Sequence, residues 1–81
     1  MKLPRDVAGH ELARALFKFG YAITRQTGSH MRLTCRLKGA EHHVTIPAHD
    51  PLRVGTLSQI LSDVSAYLEI DKDALLKALF G

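Results

Sequence analysis

Two hydrophobic periods divide the chain. At its start Ala8, Leu12, Ala15, Leu16 and Phe19 recur at helical spacing, with Glu11, Arg14 and Lys18 on the other side. This predicts an amphipathic helix over residues 7–19, ended by Gly20. Its start lacks a side-chain oxygen, because Ala8 stands where a Ser or Thr would pair with Glu11; Asp6 is the alternative cap. The period then falls to two. Tyr21 to Gln26 reads as a strand with Tyr21 and Ile23 toward the helix, and Thr27-Gly28-Ser29 as a tight turn whose glycine is expected to supply a positive φ. Past the turn Met31, Leu33, Cys35 and Leu37 share one face, and His30, Arg32, Thr34 and Arg36 the other. Lys38 to Glu41 is the next turn. His42 to Ile46 is a third strand, with Val44 and Ile46 inward and His43 and Thr45 outward, stopped by Pro47.

Helical spacing returns after a loop that carries His49. Thr56 and Gln59 form a capping-box pattern that predicts a helix starting near Leu57, with Leu57, Ile60, Leu61, Val64 and Leu68 as its stripe. Asp71 is placed to cap a short last helix whose apolar side is Leu75, Leu76, Leu79 and Phe80. The fold class is therefore α+β: a helix, a three-stranded antiparallel sheet, a helix and a short C-terminal helix. Both main helices are expected on one sheet face, leaving the other open.

Composition narrows the reading. With 81 residues and one composition regime, residues 1–81 are expected to form a single domain. No apolar run approaches the roughly 18 residues of a membrane span, and no apolar stretch follows the charged N-terminus as a signal peptide would require. The single cysteine, Cys35, excludes an internal disulfide and suits a reducing, cytoplasmic setting. Charge is uneven. Residues 1–53 carry nine Lys and Arg against four acids, a balance of +5, whereas residues 54–81 carry two against four, a balance of −2. The basic part is compatible with a polyanionic partner.

His30 is the candidate for chemistry, since histidine is the side chain whose proton exchange falls near neutral pH, and the strand alternation sets it on the open face beside Arg32 and Arg36. His42 and His43 are adjacent on a strand and point to opposite faces, which opposes a shared metal site; no metal and no cofactor are expected. His10 reads as helix surface, and His49 as a loop residue that supports either RNA binding or, the favoured reading, the loop's own hydrogen bonds.

Four stretches resemble the HicA family of bacterial toxins: Gly9 to Leu12 with Gly20-Tyr21, Arg25 to His30, Val44-Thr45-Ile46-Pro47 with His49, and Gly55-Thr56-Leu57 with Ile60-Leu61. They run through residues 3 to about 65 in the family's order and spacing. Where the family usually has Ser or Thr at the first cap this chain has Ala8, and where a second basic residue often follows the histidine it has Met31. The resemblance implies a double-stranded-RNA-binding-domain-like fold and a metal-independent endoribonuclease that cleaves mRNA. It implies His30 as the catalytic residue and a cognate HicB-type antitoxin as partner. Gly28, Ser29, Arg32 and Arg36 are the residues assigned to RNA. Two other readings stand beside it: a non-catalytic RNA-binding module of this fold, for which the basic face suffices, and an interaction domain using Phe17, Phe80 and the last helix.

Overall fold

Leu12, Leu16, Leu33, Ile46, Leu61 and Leu75 have no measurable solvent exposure and define the core around which the elements assemble. The computed structural model describes residues 3–81. The elements are α1 (Gly9–Leu16) followed by a 3-10 turn (Phe17–Phe19), β1 (Ala22–Gln26), β2 (His30–Cys35), β3 (His42–Pro47), α2 (Val54–Leu68) and α3 (Lys72–Phe80). The strands form one antiparallel sheet in the order β1-β2-β3. Met31, Leu33, Val44 and Ile46 join Leu12, Leu16, Leu57 and Leu61 in one buried cluster, so α1 and α2 cover the same sheet face. This is the α+β arrangement expected from the periodicity, and it is consistent with the double-stranded-RNA-binding-domain-like fold that the resemblance implies. Truncating one of these buried leucines to Ala is the kind of change that costs about 2 to 5 kcal/mol.

The first helix starts on half of a capping box: Ala8 N–H donates to Glu11 Oε1 at 3.2 Å, and the reciprocal side-chain bond has no oxygen to form it. Asp6, at φ 59°, is not the cap. The helix tightens into the 3-10 turn, and Gly20 ends it at φ 89° with its N–H on Phe17 C=O. Gly9 sits against the end of β3, where its N–H donates to His49 C=O at 2.9 Å and a Cβ would overlap the Pro47 carbonyl. His49 thus anchors the start of α1 through its backbone carbonyl.

Several expectations are corrected. Tyr21 lies just ahead of β1 rather than in it, and is fully buried. Leu37 does not extend the inner face of β2; it lies past the strand and is 68% exposed. Thr34, expected on the solvent face, is buried because Thr24 and His43 close over it with hydroxyl and ring contacts at 2.8 Å each. The second helix begins at Val54, not near Leu57, and Thr56 is inside it without capping. Tertiary anchoring overrides the local cap pattern there: Leu52 is buried with its N–H on Val7 C=O at 2.7 Å, and Leu57 N–H already reaches Arg53 C=O at 2.9 Å. The last helix starts as expected, with Asp71 accepting from Asp73 and Ala74 N–H at 3.0 and 3.2 Å.

Candidate active site

The turn that carries His30 is held by its own hydroxyls. Thr27 N–H donates to His30 C=O at 2.9 Å, and Thr27 Oγ1 accepts from His30 N–H at 3.2 Å, so the histidine backbone is pinned on both sides. Ser29 C=O takes the Ala48 N–H at 2.9 Å, and His30 is paired with Pro47 across the sheet, which ties the turn to β3 and through Pro47 to Gly9. Ser29 Oγ lies 3.0 Å from His30 Nδ1, leaving Nε2 without a protein partner among the described residues. The ring is exposed. Gly28 is not in the left-handed region, contrary to expectation, and a Cβ there would meet nothing within 4 Å. The fold does not require a glycine at this position, and its bare backbone leaves room for close approach beside His30.

β1 does not keep the simple alternation of its sequence. Its pairing with β2 runs Ala22 to Thr34 and Ile23 to Leu33, then skips to Arg25 opposite Arg32 and Gln26 opposite Met31. Thr24 is the extra residue of a β-bulge. Strict period two would have set Arg25 on the helix side with Ile23; the bulge turns it to the open face. There Arg25, Thr27, His30, Arg32 and Thr45 line a groove of about 240 Å³. Neither arginine has an ion-pair partner among the described residues. A larger hollow of about 710 Å³ lies between Leu3, Pro4, Arg5 and the last turn of α3, and holds none of the candidate residues.

Arg36 is not in this groove. It follows the end of β2 and pairs through Nε with Glu41 Oε2 at 2.7 Å, while His43 Nε2 approaches Glu41 Oε1 at 3.1 Å. The Arg36 guanidinium, by hydrogen bond and charge, holds the Glu41 carboxyl below the usual carboxylate range, with His43 adding to it. A polar chain therefore crosses the open face from Thr24 through Thr34 and His43 to Glu41 and Arg36. His43 is four residues from Pro47, the partner of His30, which at strand rise is roughly 13 Å along the sheet. Two histidines on one face thus sit too far apart to serve one phosphate.

His42 faces the other way, as its parity requires. Its Nδ1 lies 2.6 Å from Tyr21 Oη, and its ring stacks on Tyr67 with centroids 4.7 Å apart. Tyr67 accepts from Lys38 N–H and donates its single proton to the Ala40 carbonyl, with the Cys35 carbonyl farther off at 3.3 Å, pinning the β2–β3 turn. Cys35 is buried, as a small apolar residue would be. Among the described residues no group of three or more His, Cys, Asp and Glu is placed to hold a metal ion.

Comparison with protein-family models matches residues 9–65 to the HicA toxin of bacterial toxin-antitoxin systems. The match covers well over half of the 81 residues. The chain belongs to the HicA toxin family. It is a toxin of a toxin-antitoxin system, and an antitoxin is the partner that such a system implies. No curated protein and no solved structure gives a match. The matched span of this HicA chain contains α1, the whole sheet and most of α2, and so includes the turn, the bulge and the groove. α3 lies outside it. No helix is long and apolar enough to cross a membrane among the described residues.

Proposed function

We propose that this HicA toxin is a metal-independent endoribonuclease that cleaves mRNA with His30 as its acid/base group, and that a cognate HicB-type antitoxin neutralises it. The observation that carries the reading is the placement of an exposed histidine, with Nε2 free of protein partners, on the rim of a groove lined by Arg25 and Arg32. Cleavage uses the RNA's own 2′-OH. The 2′-oxygen loses its proton and attacks the adjacent phosphorus, and the bond to the 5′-oxygen breaks as that oxygen takes up a proton. The products are a 2′,3′-cyclic phosphate and a 5′-OH. A histidine can supply either proton transfer, and one histidine supplies one of them in a given step. Arg32 offsets charge on the phosphate oxygens, and the need for a 2′-OH selects RNA over DNA. Gly28 and Ser29 form the edge over which the backbone passes, and Arg36 is an outer contact that must share its guanidinium with Glu41.

His30→Ala tests this directly. Inducing the parent alone should arrest growth and coexpression of the antitoxin should relieve the arrest, whereas the variant should be harmless. In vitro the parent should yield 2′,3′-cyclic ends in excess chelator, and the variant should lose about 10²- to 10⁴-fold in rate. Cleavage by the variant at the parental rate would move the chemistry to another residue. RNA binding without cleavage by the parent would leave the binding module of the same fold as the function.

A further inference from the structure

We propose that the bulge in β1 builds an anion clamp, in which Arg25 and Arg32 grip one RNA phosphate from opposite sides beside His30. The inference rests on the RNA reading above but adds a residue, Arg25, and a geometry for the substrate. Like charges directly opposite each other on antiparallel strands repel, and here they are opposed with no carboxylate between them. The basic residues at the other end of the sheet behave otherwise: Arg36 pairs with Glu41, which His43 also approaches, and Lys38, in the β2–β3 turn, approaches Glu69 at the end of α2 at 3.6 Å. The fold thus pairs its cations at one end of the sheet and leaves two bare at the His30 end. The pair exists only because of the irregularity, since a regular strand would separate the arginines onto two faces.

The lining identifies the ligand class. Two guanidiniums offer planar forks that match phosphate oxygens, and the hydroxyls of Thr27 and Thr45 border the same groove. No Phe, Tyr or Trp lines the groove, and its one ring, His30, is the acid/base group, so the two arginines and the threonines grip a backbone rather than a base. A single phosphodiester between Arg25 and Arg32, with its ribose toward the threonines, meets all of these groups.

Fluorescence anisotropy with a fully 2′-O-methylated RNA decamer, which cannot be cut, measures the clamp apart from cleavage. Arg25→Ala should weaken binding about 5- to 20-fold near 0.1 M salt and lower the log–log salt slope by about 0.7 to 1. Arg36→Ala should change affinity less than about 3-fold, because its guanidinium is shared with Glu41. Arg25→Lys should recover part of the affinity and the full slope. The melting temperature of Arg25→Ala should equal or exceed that of the parent, since the variant removes a repulsion; a structural role for Arg25 would lower it. If Arg25→Ala binds the decamer with the parental affinity and slope, the clamp is wrong even if the parent cleaves RNA. If the parent binds and the variant does not, the clamp stands even if no cleavage is found. If the parent binds no RNA, both the clamp and the function fall.

Discussion

Ser29 Oγ sits 3.0 Å from His30 Nδ1, so the residue before the histidine orients the ring at the start of β2. Ser29→Ala removes that bond and leaves the turn intact, because Thr27 carries the backbone contacts. A net hydrogen bond of about 0.5 to 1.5 kcal/mol corresponds to a roughly 2- to 10-fold loss of cleavage rate. Stability should change by less than about 0.5 kcal/mol. Ser29→Thr, which keeps the hydroxyl, should restore most of the rate. The pH profile of kcat should move in the alanine variant, and an unmoved profile would mean that the serine does not act through His30.

Gly9→Ala should be the most damaging conservative change near the site. Its Cβ would overlap the Pro47 carbonyl and meet Ala48 Cα at 3.4 Å, and all of these are backbone atoms of the strand end opposite His30. Overpacking of this kind costs about 1 to 3 kcal/mol. Gly55→Ala is the control: nothing lies within 4 Å of its Cβ position in the first turn of α2, and the change should be neutral or stabilise by up to about 1 kcal/mol. Urea melts of the two variants give the comparison, and equal midpoints would show that α1 can retreat from β3.

Glu41→Gln should strengthen RNA binding. The carboxylate is the acid that Arg36 and His43 share, and it keeps its charge because the guanidinium holds its pKa down. Removing it frees two groups on the open face, for an expected gain of about 2- to 5-fold at low salt that fades as salt is raised. A weaker complex in the glutamine variant would show that Glu41 orders this end of the sheet for RNA.

What the sequence revealed follows a physical line. The period-two pattern of β2, the Asp71 cap and the stripe of α2 are local or face-wide signals, and each appears as expected apart from the buried Thr34, the exposed Leu37 beyond the strand and the start of α2. Nothing in the strand pattern singles out Arg25, because a bulge shifts parity without leaving a mark in a five-residue strand. Arg36 was grouped with Arg32 by parity, which says nothing of the Glu41 carboxylate that folds back onto it from the next turn. The Tyr67 role was invisible for the same reason: its partners at Cys35, Lys38 and Ala40 lie about thirty residues away. The only available signal for Arg25 was its presence in the stretch Arg25 to His30, within the span that matches the family.

Stability should fall with mild acid through His42. Burial lowers its pKa from the ordinary 6.5, with His43 adding to this and Asp63 opposing it. Tyr21, whose hydroxyl pKa is raised chiefly by burial, keeps its proton and is assigned as the donor to a neutral Nδ1 at 2.6 Å. Between 6.5 and the lowered folded value the unfolded chain binds the proton and the folded chain does not, so stability rises with pH there. It is constant above that window for this group, and declines as pH drops below 6.5 with a slope no steeper than one proton. Glu41 acts in a separate, lower window: its lowered pKa adds stability above the ordinary 4.5 that is lost only on further acidification. Urea midpoints from pH 7.5 to 5 should therefore decline in the parent. His42→Phe in a Tyr21→Phe background removes the imidazole without orphaning a hydroxyl, and should flatten the curve. An unchanged decline in that double variant would assign the acid sensitivity to another group.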